Sequence, residues 1–353
     1  LPAFPAKGHL KAFGAAACNL DGKLLVSSFS FQPRILTEAN DNWLPTTRKL
    51  EIRRFFHRIV PIGKQKAVFL GGANYDGHLN QIETLDVGEQ KSKTDPTTPP
   101  VPQKQKSKGK GTSWPGFRGN GNSRSLANDL PLEWSDEKNV AWRTKPKGYG
   151  QSTPVVWEDK IFSTSTVGDW SEKLLVHCHG LLDGKLLWQH SVSSPVKIRR
   201  SKMVSQAAPS PVVDGNALYL FYESGVLLAL SHEGKQLWTR SLTKDYGPML
   251  GNHGIGSSLF QSREKLGLLV DHSGPSYLLR IDKATGKTDW KVDRPKRVSW
   301  STPTLATDGK TETLYLSSNG IAEAYDFASG KQLWQLDELE GNTVASPTIT
   351  KEY

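Results

Sequence analysis

The sequence predicts an all-β chain made of four-stranded antiparallel blades, the building unit of a β-propeller. Two markers that recur in step carry this expectation, because self-similarity at a fixed period is the signature of a repeat architecture. The first is Gly-Lys followed three residues later by Trp: Gly184-Lys185 with Trp188, Gly234-Lys235 with Trp238, Gly286-Lys287 with Trp290, and Gly330-Lys331 with Trp334. The Trp intervals are 50, 52 and 44 residues. The second marker is Ser152-Thr153-Pro154-Val155, Ser210-Pro211-Val212, Ser257-Ser258-Leu259, Ser301-Thr302-Pro303-Thr304 and Ser346-Pro347-Thr348. A third observation agrees: 32 Gly and 21 Pro are spread evenly through 353 residues, which favours short strands and turns over long helices.

Taken in chain order, residues 1–90 come first. Arg54-Phe55-Phe56-His57, Ile59 to Ile62, Ala67 to Leu70, Gly71-Gly72 and Ile82-Glu83-Thr84-Leu85-Asp86 set out a hydrophobic strand, a Gly doublet, and a further strand with an acidic end. A degenerate copy runs from Gly14 through Gly22-Lys23-Leu24-Leu25-Val26 to Trp43, with Ser27-Ser28 at the doublet. Over residues 10–90 this pattern resembles kelch-like blades. Two such units cannot close a propeller, which needs about four to eight.

Residues 91–112 are predicted to be a Lys/Pro-rich flexible linker. Lys91 to Lys110 hold six Lys, one Asp and four Pro with no aromatic, so half of the net charge of +10 sits there. Such a stretch cannot bury enough apolar surface to offset its ordering entropy. Without stacking aromatics it also lacks what a single-strand binder needs, so no nucleic-acid partner is expected. No apolar run reaches the ~18 residues of a membrane span, and two cysteines exclude a disulfide framework.

From Ser113 to Tyr353 the repeat takes over. Between Pro209 and Leu242 the strands read PSPVVDG, NALYLFYES, GVLLALSHEG and KQLWTRSL, with turns at Asp214-Gly215 and Ser224-Gly225. Thr302 to Leu336 repeat the order as TPTLATDG, ETLYLSS, GIAEAYDFASG and KQLWQL. Residues 152–343 therefore hold four units, and Ser346 opens a fifth. Trp188, Trp238, Trp290 and Trp334 are expected to fill the wedge between twisted neighbouring blades. Gly184, Gly234, Gly286 and Gly330 are expected to supply turns with φ > 0. These eight residues are read as blade-docking architecture without chemistry. Gly286-Lys287-Thr288 resembles the end of a phosphate loop, but Ile281 stands where its first Gly is required. His177 and His179 share one face of a strand, yet two imidazoles leave a metal under-coordinated, so no metal site is expected.

The span from Ser113 to Tyr353 resembles the PQQ-like (quinoprotein alcohol dehydrogenase-like) β-propeller repeat proteins of bacteria. The likeness rests on Trp114-Pro115-Gly116-Phe117-Arg118-Gly119, and on Leu130-Pro131-Leu132-Glu133-Trp134 leading into Val140-Ala141-Trp142. It rests also on the docking motif Ala-x-Asp-x-x-Thr-Gly-Lys-x-x-Trp, best matched by Ala324, Asp326, Ser329, Gly330, Lys331 and Trp334. Asp282, Thr285, Gly286, Lys287 and Trp290 match with Arg280 in place of Ala; Cys178 takes the small position before Trp188, and the loop before Trp238 is one residue short. Enzymes of that superfamily are known to hold PQQ and calcium on the axis, with an Asp as base and a pair of adjacent cysteines. Cys18 and Cys178 are far apart and no Glu, Asn and Asp calcium set aligns, so no cofactor is expected, with PQQ and Ca as the alternative. The resemblance implies a secreted or periplasmic, non-catalytic propeller serving as a binding or protein-assembly scaffold for a protein or carbohydrate partner. The alternative is a PQQ-dependent dehydrogenase oxidising an alcohol or sugar. Relatives usually close with seven or eight blades, so the five units suggest a fragment lacking blades on both sides.

In a propeller the residues just before each innermost strand crowd one face around the axis. Here these are Tyr149, Gln151, Gln206, Asn252, His253, Ser299, Trp300 and Asn342. Gln151, Gln206, Asn252, His253, Trp300 and Asn342 are the expected ligand-binding positions. His253, between Gly251 and Gly254, is the first acid/base candidate, and Asp271-His272 the second. Arg199-Arg200-Lys202 and Lys296-Arg297 are read as solvated basic loops.

Overall fold

The computed structural model describes residues 15–28, 31–36, 43–62, 65–79, 81–86, 113–123, 131, 135, 137–198, 205–251, 253–339 and 344–349. The expected linker, Gly14, Trp134, Arg199, Arg200, Lys202, Asn252 and Asn342 lie outside the described residues. The chain forms two compact units, Leu1–Lys106 and Ser107–Tyr353. Among the described residues, no helix is long and apolar enough to cross a membrane.

The first unit contains a four-stranded antiparallel meander of β1 (Ala16–Leu20), β2 (Lys23–Ser27), β3 (Arg34–Leu36) and β4 (Leu44–Pro45). Asp21 and Gly22 join β1 to β2 with φ of 52° and 78°, the left-handed pair that a two-residue hairpin requires. The second sheet is β5 (Arg58–Ile62), β6 (Lys66–Leu70) and β9 (Ile82–Asp86), with a side hairpin of β7 (Ala73–Asn74) and β8 (Gly77–His78) inserted after β6. Gly71 and Gly72, at φ of 56° and 97°, turn the chain out of the sheet, and β9 returns to pair with β6. A Cβ at Gly72 would stand 2.7 Å from the Phe55 carbonyl oxygen, so only glycine fits. This sheet thus has three strands among the described residues. Leu20, Leu25, Ile35, Ile59, Phe69 and Leu85 form the core of the unit.

The second unit is a succession of blades. It begins with β10 (Ser113–Trp114) and the short turn α1 (Arg118–Gly121). Blade one is β11 (Val155–Trp157), β12 (Lys160–Val167), β13 (Lys173–Gly180) and β14 (Leu186–Ser193), with β10 paired inside β11. Blade two is β15 (Val212–Val213), β16 (Leu218–Phe221), β17 (Val226–Leu230) and β18 (Gln236–Ser241), followed by α2 (Leu242–Tyr246). Blade three is β19 (Phe260–Gln261), β20 (Lys265–Val270), β21 (Ser276–Asp282) and β22 (Thr288–Arg294). Blade four is β23 (Thr304–Thr307), β24 (Glu312–Ser318), β25 (Ile321–Asp326) and β26 (Gln332–Leu336).

Period-two alternation explains why the middle strands read as unbroken apolar runs. In β16 and β17, Leu218, Leu220, Val226, Leu228 and Leu230 face blade one, joining Val155, Phe162, Leu174 and Val176. Their alternates Tyr219, Phe221, Leu227 and Ala229 face blade three, joining Leu266, Leu268, Val270, Leu279 and Ile281. Both faces are buried, so both must be apolar, and each fully buried Leu or Phe contributes about 1.5–3 kcal/mol. In β24 the run breaks: Leu314 and Leu316 are buried while Thr313 and Tyr315 are only half-buried.

The tryptophans join the blades. Trp188 donates its indole N–H to the His232 carbonyl at 2.8 Å, Trp238 to Lys283 at 2.9 Å, and Trp290 to Phe327 at 3.2 Å. Each ring lies on the glycine of the next blade's outer turn. A Cβ added at Gly234, Gly286 or Gly330 would meet Trp188, Trp238 or Trp290 at 2.8, 2.7 or 2.9 Å. Gly184 takes the ring of Trp142, whose N–H reaches Leu181 at 2.9 Å, although residues 137–148 form no strand. All four glycines also have positive φ, between 67° and 84°. Cross-strand from each Trp sits the motif's small position, as Cys178, Ala229 and Ala324; the Arg280 substitution is accommodated because its guanidinium reaches forward to the Ala328 carbonyl at 2.9 Å.

The second sequence marker is a hydroxyl chain along the innermost strands. The backbone N–H of Thr153 donates to Ser210 Oγ, that of Ser210 to Ser258 Oγ, that of Ser258 to Thr302 Oγ1, and that of Thr302 to Ser346 Oγ, each at 2.9 Å. One hydroxyl per blade thus satisfies a buried amide of the blade before it. Ser258→Ala should therefore leave the Ser210 amide unpaired and lower stability by about 1–3 kcal/mol, read from urea unfolding.

Candidate functional site

Antiparallel blades place two sets of connections at one end: the turn between the second and third strands, and the loop to the next blade. Backbone bonds tie them together, from Ile198 N to Trp170 O at 3.1 Å, Leu242 N to Gly225 O at 2.8 Å, and Leu339 N to Gly320 O at 3.0 Å. This inter-blade face carries the positions singled out before each first strand.

Tyr149 exchanges two backbone hydrogen bonds with Thr166, at 3.0 and 2.9 Å. Gln151 is exposed, and its Oε1 accepts from Ser205 N at 2.9 Å, which fixes it beside Gln206 in sequence. Gln206 is buried with φ of 60°, a conformation that costs energy in a residue with a Cβ. His253 is exposed and stands edge-on to Trp300, ring centres 6.1 Å apart. The Trp300 indole N–H donates to the Gly254 carbonyl at 3.1 Å, so the glycine-rich loop 251–256 carries one ring and holds the other.

Asp271 and His272 are buried and hydrogen-bonded. Asp271 accepts from Arg294 Nε at 2.9 Å, Arg294 Nη2 at 3.2 Å and Ser318 Oγ at 2.6 Å. The His272 Nδ1 accepts from Leu250 N at 3.0 Å and Gly274 N at 2.9 Å, so this nitrogen is an acceptor and pins loop 248–251. Burial holds the imidazole below its usual range. Their geometry is that of supports.

His177 and His179 project from β13 with ring centres 6.2 Å apart. Ser165 Oγ donates to the Lys147 carbonyl at 2.6 Å, so it accepts the Nε2–H of His177 at 2.9 Å. Among the described residues, no three His, Cys, Asp or Glu side chains converge as a cation site.

Two further features lie outside the expected ligand-binding and acid/base positions. The lead-in segment Trp114–Gly121 runs along the innermost strands: the Pro115 carbonyl accepts from Val213 N at 2.9 Å, and Arg118 donates to Pro347 O at 2.7 Å and Thr348 Oγ1 at 2.6 Å. A pocket of about 220 Å³ remains between this segment and Val212, Leu259–Gln261 and Thr302–Leu305. The other feature is Glu223, in the turn after β16. It is buried, and its carboxylate accepts from Ala208 N at 3.3 Å and Ile255 N at 3.2 Å. Burial pushes its pKa up to about 8, against the opposing effect of those two amides. The sequence does hold a signal for it: a lone carboxylate closes an otherwise apolar run, LYLFYE.

Residues 132–247, about a third of the chain, match the protein family described as outer membrane protein assembly factor BamB. No curated protein matches the chain. Among solved structures, the quinohemoprotein alcohol dehydrogenase from Comamonas testosteroni is 16% identical, with a TM-score of 0.44 over 65% of this chain and 42% of that one. The dehydrogenase ADHIIG from Pseudomonas putida HK5 is 14% identical, with a TM-score of 0.42 over 58% and 36%. BamB from Moraxella catarrhalis is 11% identical, with a TM-score of 0.38 over 92% and 76%. The chain spans about two fifths of the length of the two dehydrogenases. Residues 132–247 thus carry the PQQ-like repeat, and the described residues of the second unit are almost all-β, in four-stranded antiparallel blades of propeller type.

Proposed function

We propose that the second unit is a non-catalytic, extracytoplasmic scaffold that binds a protein partner on its inter-blade face. One observation carries the reading: on that face the buried ionisable groups are consumed by structural bonds, while the exposed groups suit contact. Asp271, His272 and Glu223 all hold backbone or inter-blade partners. Exposed instead are Trp170 and Leu250, 47% and 50% accessible, and the same set of loops exposes His253, Lys147, Lys197, Lys244 and Lys296. Aromatic groups rimmed by charge are what protein interfaces use. The matched family's name, an outer-membrane assembly factor, supports an extracytoplasmic protein partner.

The described donor set does not fit a PQQ and calcium pair. The one carboxylate of the second sequence candidate, Asp271, is already neutralised by Arg294, and the two cysteines lie in separate units.

The test has two arms. Incubation with PQQ and Ca²⁺ should give no stoichiometric bound quinone and no dye reduction; a bound quinone that turns over an alcohol would sink the reading. A photo-crosslinking residue at position 170 should capture a protein partner in cells of the source, whereas one at the rim position 187 should not. Equal capture from both positions would remove the inter-blade face as the binding surface.

A further inference from the structure

On the inter-blade face, one buried carboxyl touches two of the described loops at once. Glu223 Oε1 accepts from Ala208 N, in the loop from blade one to blade two, at 3.3 Å. Its Oε2 accepts from Ile255 N, in the loop from blade two to blade three, at 3.2 Å. The second of these loops reads Gly251-Asn252-His253-Gly254-Ile255-Gly256, three glycines in six residues, two of them at positive φ (133° and 64°). A Cβ at Gly254 would overlap the Glu223 carboxylate, so the loop is pressed directly onto it. The same Gly254 presents its carbonyl to the Trp300 indole.

The surroundings offer this carboxyl no counter-charge. Loop 205–210 is Ser-Gln-Ala-Ala-Pro-Ser, without a titratable group. Glu223's own turn adds Tyr222, whose hydroxyl donates to the Leu175 carbonyl at 2.7 Å. Loop 251–256 adds only His253, which is exposed. The groups that act on the carboxyl are the two amides and no charged side chain.

A neutral carboxylic acid is stable in such a place. An ionised one is held by two amides but deprived of water, and the way to hydrate it is to lift the loops that cover it.

We propose that Glu223 is a proton-operated clasp of the inter-blade face: protonated, it holds loops 205–210 and 251–256 down together, and ionised, it favours their release. It is a positioning residue, since it acts on the His253–Trp300 pair through the loop that carries the first and accepts a hydrogen bond from the second. The inference deepens the scaffold reading, because it makes presentation of the binding face depend on pH. The sign follows from linkage. A carboxyl whose proton is held more tightly in the closed form stabilises that form fully below the ordinary Glu range, and loses the contribution as pH rises through the closed-form pKa. Within that window the open population can grow by up to about tenfold per pH unit.

The test is hydrogen–deuterium exchange of the whole chain at pH 6 and pH 9, corrected for intrinsic rates, with no partner present. Peptides covering 205–210 and 251–256 should lose protection by at least about tenfold at pH 9 in the wild type, while the blade strands do not. Glu223→Gln, which keeps the shape and cannot ionise, should hold the pH 6 protection at both pH values. An identical loss in the variant, or no local loss in the wild type, would overturn the clasp. Were the variant unable to fold, the wild-type profile alone would decide, because loss spread evenly over all blades also contradicts a local clasp. As no partner enters the measurement, failure of the scaffold reading would leave this result standing, and the reverse.

Discussion

Replacing Arg294 with Met is expected to destabilise the second unit by about 3–5 kcal/mol, the range for removing one partner of a buried ion cluster. Arg294, at the end of β22, crosses the seam between blades three and four. It pairs with Asp271 of blade three at 2.9 Å and with Glu323 of blade four at 2.7 Å, and donates to Tyr325 Oη at 3.0 Å. The side chains of Arg294, Asp271 and Glu323 are 1%, 0% and 5% exposed. Burial alone would lower the guanidinium pKa, but the two carboxylates outweigh it and hold the group charged. A methionine would fill similar volume while leaving two buried carboxylates on one seam without a cation. Urea unfolding of the whole chain at pH 7, followed by tryptophan fluorescence, measures the loss. The mechanism makes a second demand: Asp271→Asn added to Arg294→Met should recover part of the stability, because it removes one stranded charge. A single variant within about 1 kcal/mol of wild type, or a double variant that merely adds the two losses, would show that the cluster does not hold the seam by charge.

The blades were legible from the sequence because their two markers are local patterns repeated at a fixed spacing. The alternation in LYLF and VLLAL likewise follows from having a neighbour on each face of a middle blade. Less legible was everything that depends on which atom meets which across the seams. The hydroxyl chain joins residues 44 to 57 apart, and the period reveals its members but not that each oxygen accepts the preceding blade's amide. Trp142 escaped the ladder because no Gly-Lys pair precedes it, although its ring docks on Gly184 like the others. Of the face residues, His253 and Trp300 could be placed by counting back from the next first strand. Asp271 and His272 invited a catalytic reading from residue type alone, and only the registers of β20 on β21 and of β21 on β22 bring Arg294 to that carboxylate. Glu223 lies in a turn that the repeat leaves variable, so nothing periodic drew attention to it. In the first unit, the Gly doublet has two positive φ angles and opens a side hairpin before β9 returns to β6, a detour that no local pattern announces.

Two tryptophans at the same motif position should respond very differently to truncation. Trp238→Ala is expected to cost about 2–4 kcal/mol, toward the lower part of the range for large-to-small changes because the ring is only partly buried. The loss combines the bond to Lys283 O with the face of the indole that covers Gly286. Trp334→Ala should fall within about 0.5 kcal/mol of wild type. Its ring is 46% exposed, touches Tyr315 at 6.1 Å between centres, and is neighbour to none of the described glycines. The contrast separates docking from any intrinsic benefit of Trp on an outer strand, since β18 and β26 share the sequence Gln-Leu-Trp. Gly286→Ala closes the argument. Its φ of 71° and a Cβ 2.7 Å from the Trp238 ring make it destabilising alone, yet with the indole already removed the steric part disappears and only backbone strain remains. The double variant should therefore cost less than the two single losses added together, measured as a double-mutant cycle in urea. Strict additivity, or equal costs for Trp238→Ala and Trp334→Ala, would mean that the ladder of rings on glycines is not what binds each blade to the next.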